Sequence, residues 1–270
     1  MIIDTHTHIF SEKAYNEYLD KAKGRVSKVL AISFALDPGK DRGIKNYKLE
    51  NLLAFAATKE NLYVVAAINI TKDIPKQLTK IKKLFQQKKV AGIKLVPGYQ
   101  HFYPSDKKIY PIAKLCEKYN KPLIFHSGDV YDPENRALLK YSHPIHIDEL
   151  AIKFPECQII IAHLGFPYLA ETATVVSKNK NVYTDISGTI FESASKAEAK
   201  QLVREYIKDL KRIFAYYPDI KSKVMFGTDF EGEKSPLNQV GPYIETVKKV
   251  FSKNERKQVF YGLADKLFFS

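Results

Sequence analysis

Short apolar runs alternate with longer amphipathic stretches along the whole of this 270-residue chain, and that alternation restricts the fold more than any other feature. The runs fall at 2–5, 29–34, 63–68, 90–96, 122–125, 158–162, 182–186 and 224–227. Most are rich in Val and Ile and too short for helices, so they read as strands buried on both faces, as in a parallel sheet. The intervening stretches have helical spacing. In 74–87, Leu78, Ile81, Leu84 and Phe85 share a face opposite lysines; in 193–217, Leu202, Val203, Tyr206, Ile207, Leu210 and Phe214 do the same. The spacing predicts further helices over 46–59, 107–119 and 147–154.

Strand followed by helix, eight times, predicts an α/β protein, a (β/α)8 TIM barrel, as one domain over 1–270. Hydrophobic residues at 45% and charged residues at 27% supply one large core, and no second compositional regime interrupts the chain. A doubly wound open sheet is the alternative, but no Gly-rich fingerprint follows the first strand. No apolar run approaches the roughly 18 residues that span a bilayer. The first residues read as a strand rather than a secretory signal, and the two cysteines, Cys116 and Cys157, read as buried free thiols. The expectation is a cytoplasmic protein with no membrane partner.

The histidines fall at the ends of these strands. Of seven, His6 and His8 close the first run, His126 the fifth and His163 the sixth, and Asp229 follows the eighth. Residues i and i+2 of a strand point the same way, so His6 and His8 face one point. Parallel barrel strands all end on one face, which brings the other side chains there too. A lone His-x-His or strand-end His is commonly a hydrogen-bonded structural residue. The combination points instead to a divalent ion, Zn²⁺ first, with Mn²⁺, Fe²⁺, Co²⁺ or Ni²⁺ compatible. A site with one open position holds water whose pKa the metal lowers towards neutrality.

On the segments Ile3-Asp4-Thr5-His6-Thr7-His8, Gly92-Ile93-Lys94-Leu95, Pro122-Leu123-Ile124-Phe125-His126, Ile161-Ala162-His163-Leu164-Gly165 and Phe226-Gly227-Thr228-Asp229, the chain resembles the amidohydrolase superfamily, within it the amidohydrolase-2 barrels. The similarity runs from Ile3 to the tail at Phe268, which lacks the usual Asn-Ala near Leu263-Ala264. The resemblance implies a catalytic barrel in which His6, His8 and Asp229 hold a metal, with His126 the next ligand. It makes Asp229 and His163 the catalytic pair, with His163 an unligated electrophile or proton donor, or else a ligand of a second ion. Lys94 is either carbamylated between two ions, as in binuclear members, or an ammonium that binds a substrate carboxylate; the Ile-Lys-Leu pattern favours the ammonium. Arg136 is a second candidate for substrate binding, since arginine suits carboxylates. Tyr99, His101, Tyr103, His143 and His146 lie in loops beside it, and Asp129, Ser187 and Glu231 are candidates to hydrogen-bond the ligands.

The leading function is a metal-dependent hydrolase using a metal-activated water on the carbonyl of an amide, lactone or ester in a small carboxylated substrate. A non-oxidative decarboxylase on the same scaffold is the alternative. A TatD-type deoxyribonuclease ranks third, because its fourth strand supplies a bridging Glu where Lys94 stands. A barrel that binds without turnover ranks last. The net charge of +13, from 43 Lys and Arg against 30 Asp and Glu, sits mostly on lysines of the outer helices. It reads as a solvated surface, so the expected partner is a small anion rather than nucleic acid, with a homo-oligomer left open.

Overall fold

The computed structural model describes residues 1–35, 48–130, 137–191, 195–232 and 235–270. Each apolar run forms a strand: β1 (Ile3–Thr7), β2 (Lys28–Ile32), β3 (Leu62–Ala67), β4 (Gly92–Leu95), β5 (Leu123–Phe125), β6 (Ile159–Ile161), β7 (Val182–Asp185) and β8 (Val224–Met225). They pair in sequence order, every neighbour parallel. β8 returns to β1. The Thr5 N–H and hydroxyl both donate to the Phe226 carbonyl, at 3.1 and 2.9 Å, and the Asp229 N–H donates to the His6 carbonyl at 2.7 Å. The eight parallel strands thus form a nearly closed (β/α)8 barrel in a single domain. An open doubly wound sheet would have left β1 and β8 on separate edges.

The amphipathic stretches form the outer layer. The stretch at 74–87 is the helix Ile74–Gln86, with Asp73 accepting from the Lys76 N–H at its start. The stretch at 193–217 is Lys196–Tyr216, opened by a capping box in which Ser195 and Glu198 satisfy each other's backbone N–H groups. The stretches at 46–59, 107–119 and 147–154 are Leu49–Ala56, Tyr110–Tyr119 and Ile147–Lys153. No helix among the described residues is long and apolar enough to cross a membrane. Cys116 and Cys157 are free and buried.

Strand alternation decides what enters the barrel. Outward residues such as Ile93, Leu95, Leu123, Phe125, Ile159 and Ile161 pack under the helices. Inward residues Ile3, Leu30, Ile32, Val65, Ile124, Ile160 and Met225 form a separate inner cluster. One end of that inner cluster is stoppered by the C-terminal helix Leu263–Phe269, through Leu263, Ala264, Leu267 and Phe268. Lys28 pins this helix, with its ammonium 2.8 Å from Asp265 and 3.9 Å from the centre of the Phe269 ring. Beyond this inner cluster, at the C-terminal ends of the strands, the inner side turns polar. There the inward positions become Lys94, His126 and Asp185.

Candidate metal centre at the mouth of the barrel

β1 carries a register shift between Asp4 and Thr7, one extra residue against β2, which re-aims the strand as it reaches the mouth. His6 and His8 then turn towards Asp229. The Nε2 atoms of His6 and His8 lie 3.4 and 3.3 Å from Asp229 Oδ1. Ligand atoms of these three residues all lie within 4.8 Å of one another. Asp229 holds a positive φ of 62°, an uncommon backbone for a non-glycine residue and a strained one at a point where three side chains meet.

The hydrogen bonds around the three residues fix which atoms face inward. His8 Nδ1 lies 3.1 Å from the Ile32 carbonyl, which only accepts, so Nδ1 carries the proton and Nε2 a lone pair. His6 Nδ1 lies 3.1 Å from Asp185 Oδ2, with the same consequence. Two imidazole lone pairs thus point at Asp229 Oδ1, a buried atom with no hydrogen-bond donor. Such an arrangement is costly without a cation and is the donor set that a divalent ion takes. Among the described residues, Lys94 is the cation near it, its Nζ 3.2 Å from His6 Nε2. Lys94 is buried, and desolvation lowers its pKa to about 8 against the pull of Asp185 and Asp229.

His126 and His163 form the other half of the mouth. His163 Nε2 lies 3.2 Å from His126 Nδ1, and His126 Nε2 lies 2.9 Å from the Asp129 carbonyl. His126 stands apart from the His6, His8 and Asp229 set and against His163. His163 itself occupies the left-handed region, with φ 62°, followed by Leu164 at 47° and Gly165 at 61°. Its Nδ1 lies 2.9 Å from Ser187 Oγ, and its backbone N–H donates to Asp185 Oδ1 at 3.1 Å.

Burial first, and Lys94 second, lowers the pKa of His6; the same two causes lead for His126, which falls to about 3. Burial also holds His163 well below the usual imidazole range. Asp4, behind His6, goes the other way: burial raises it to about 7 despite donors from Thr228 and Tyr18.

These shifts have an opposite sign for stability. Below pH 6.5 the unfolded chain protonates histidines that the folded chain keeps neutral, so unfolding takes up protons and stability falls as pH falls. Asp4 opposes this between pH 3.8 and about 7, where the folded chain alone holds a proton. His126 and His163, both held far below the usual imidazole range, outnumber the one aspartate and leave net uptake, each net proton weighing about 1.4 kcal/mol per pH unit. The urea midpoint of the metal-free protein should therefore be lower at pH 5 than at pH 7. A midpoint that rises on acidification would contradict the neutral, buried histidines.

Of the remaining sequence candidates, Tyr99 places its ring 5.3 Å from that of His126. His101 and Tyr103 pack on Tyr141, and His143 on Tyr168. His146 packs on Tyr103. Glu231 accepts from Ser235. Arg136 lies outside the described residues. Sequence reasoning passed over Asp185, although it ends β7 two residues before Ser187. The alternation that joined His6 to His8 would have found it.

A family model described as Amidohydrolase matches residues 3–269. The chain belongs to the amidohydrolase family. A 96-residue stretch of it is 30% identical to protein fluG of Emericella nidulans, 36% of this chain and 10% of that protein. The chain therefore matches about a tenth of the length of that curated relative. Its fold is similar to that of a probable 2-pyrone-4,6-dicarboxylic acid hydrolase from Acinetobacter baumannii, with TM-score 0.64, 15% identity and coverage of 99% of this chain and 98% of that one. It is also similar to 2,6-dihydroxybenzoate decarboxylase from Rhizobium, with TM-score 0.67, 12% identity and coverage of 99% and 98%. At these identities the likeness is one of fold. One fold thus stands under two reaction names, a hydrolase and a decarboxylase, so the barrel alone does not select a reaction.

Proposed function

We propose that the chain is a metal-dependent hydrolase acting on the carbonyl of an amide, lactone or ester in a small carboxylated substrate. The observation that carries this reading is the convergence of two imidazole lone pairs and an orphaned carboxylate oxygen at His6, His8 and Asp229. His6, His8 and Asp229 would hold a divalent ion, Zn²⁺ foremost for this donor set, which when bound would supply a water of lowered pKa and polarise a carbonyl. His126 would join as the next ligand by exchanging its contact with His163 for the ion. Asp229 keeps a second carboxylate oxygen with which to take a proton and pass it to the leaving group. His163, with its proton on Nδ1, would accept a proton at Nε2 during the reaction and return it. Lys94, cationic below about pH 8, biases the mouth towards an anionic small molecule rather than nucleic acid.

The test is elemental analysis of the purified protein, followed by product analysis on a panel of lactones, amides and aromatic carboxylates. A metal-to-chain ratio near one with addition of water supports hydrolysis and an ammonium at Lys94. A ratio near two supports carbamylated Lys94. Release of CO₂ without water uptake would replace hydrolysis by decarboxylation, and DNA cleavage with Mg²⁺ or Mn²⁺ would replace both. A protein that takes up no metal overturns the reading.

A further inference from the structure

We propose that Asp185 is a positioning residue that sets the tautomers of two histidines at once: His6 directly, and His163 through Ser187. The carboxylate is buried at the end of β7, and its two oxygens are divided between tasks. Oδ2 lies 3.1 Å from His6 Nδ1. Oδ1 accepts from the backbone N–H of His163 at 3.1 Å, from the N–H of Ser187 at 3.0 Å, and from the Ser187 hydroxyl in a short contact. Because that hydroxyl donates to Asp185, Ser187 Oγ can only accept from its other neighbours. Those are His163 Nδ1 at 2.9 Å and, more weakly, His6 Nδ1 at 3.2 Å. Both imidazoles are thereby held with the proton on Nδ1 and the lone pair on Nε2. For His6 that is the lone pair aimed at Asp229; for His163 it faces His126 Nδ1 at 3.2 Å, which is also a lone pair because His126 Nε2 donates to the Asp129 carbonyl.

The geometry also dictates what an amide does at this position. Oδ1 faces two backbone N–H groups that cannot turn away, so Asp185→Asn must keep its oxygen there and present its NH₂ to His6 Nδ1. His6 is then forced to the opposite tautomer, with Nε2 protonated and its lone pair lost to the centre. Ser187→Ala removes the link to His163 and leaves the contact of Asp185 with His6 intact. The two variants separate the two arms.

The test is ¹⁵N NMR of the histidine rings in the metal-free protein, with calorimetric titration of Zn²⁺ alone. In the parent, both His6 and His163 should be Nδ1–H. Asp185→Asn should move His6 to Nε2–H and weaken Zn²⁺ binding about 10- to 100-fold, the range for a hydrogen-bond partner of a ligating histidine. Ser187→Ala should change the tautomer of His163 while His6 stays Nδ1–H and Zn²⁺ affinity stays within about threefold. An Nε2–H ring at His6 or His163 in the parent overturns the inference, as does Ser187→Ala with His163 unmoved. If Asp185→Asn does not fold, the parent spectrum and Ser187→Ala still decide it. The Zn²⁺ arm rests on the metal-dependent reading above. Correct tautomers in a parent that binds no Zn²⁺ would reject that reading and leave the role of Asp185 standing.

Discussion

Asp229→Asn is expected to empty the centre of metal and of activity while leaving the metal-free protein at least as stable as its parent. The carboxylate oxygen Oδ1 is buried without a hydrogen-bond donor and faces the lone pairs of His6 and His8 at 3.4 and 3.3 Å. In the absence of an ion those three groups repel. An asparagine amide donates to one of the imidazole nitrogens and removes the charge, which relieves a penalty of about 1–3 kcal/mol for an unsatisfied buried group. Lys94 is attracted to the same carboxylate, and its loss trims that gain. An ion held by His6, His8 and Asp229 would lose the anionic donor of that set, and changing even a partner one bond further out costs about 10- to 100-fold in affinity. Without the ion, several kcal/mol of charge stabilisation disappear, so turnover should fall about 10³-fold or more. Urea unfolding of metal-free parent and variant, with metal content and turnover, measures all three. A variant that keeps its metal, or is markedly less stable metal-free, would mean that Asp229 is held by structure rather than kept for an ion.

How much of this was legible in the sequence follows from how local each signal is. The strands were legible because a run such as Ile159–Ile161 is apolar on both faces and β-branched, whatever else the chain does. Their polar ends were harder to bound: β1 extends through His6 and Thr7, since inward positions at the mouth are polar while still paired. The helix Glu12–Ala22 was not predicted because its buried face is Ala14, Tyr15, Tyr18 and Ala22, a weak stripe without Leu or Ile. Leu169–Lys178 buries Thr172, Val175 and Val176, residues that read as strand until the neighbours are known. The convergence of His6, His8 and Asp229 followed from parity and from the common direction of barrel strands. The pairing of His126 with His163, in place of a shared contact with that set, did not follow. It depends on the left-handed turn at His163, which no spacing rule reports. The tether through Asp185 depends on contacts 22 and 179 residues away in sequence.

Gly188→Ala should produce a folded, metal-competent protein with poor turnover. Gly188 has φ 74°, and a Cβ built on it would lie 2.4 Å from His163 Nδ1 and 3.0 Å from Cε1. No flexible side-chain end can yield there, because the obstacle is an imidazole ring. That ring is anchored by Ser187 on one side and by its own strained backbone on the other. The left-handed conformation costs an alanine about 1–2 kcal/mol, which a barrel of this size survives. The clash is relieved only by moving His163 away from Ser187, against His126, or by shifting the backbone after β7. Displacement of a catalytic group by about 1 Å costs on the order of 10²-fold, and that is the expected fall in turnover. The three atoms nearest the added methyl all belong to His163, so the clash falls on that ring and bound metal should change little. Turnover unchanged with the alanine in place would remove His163 from the reaction. Loss of metal together with turnover would show that the His163 turn and the metal centre move as one body through Ser187 and Asp185.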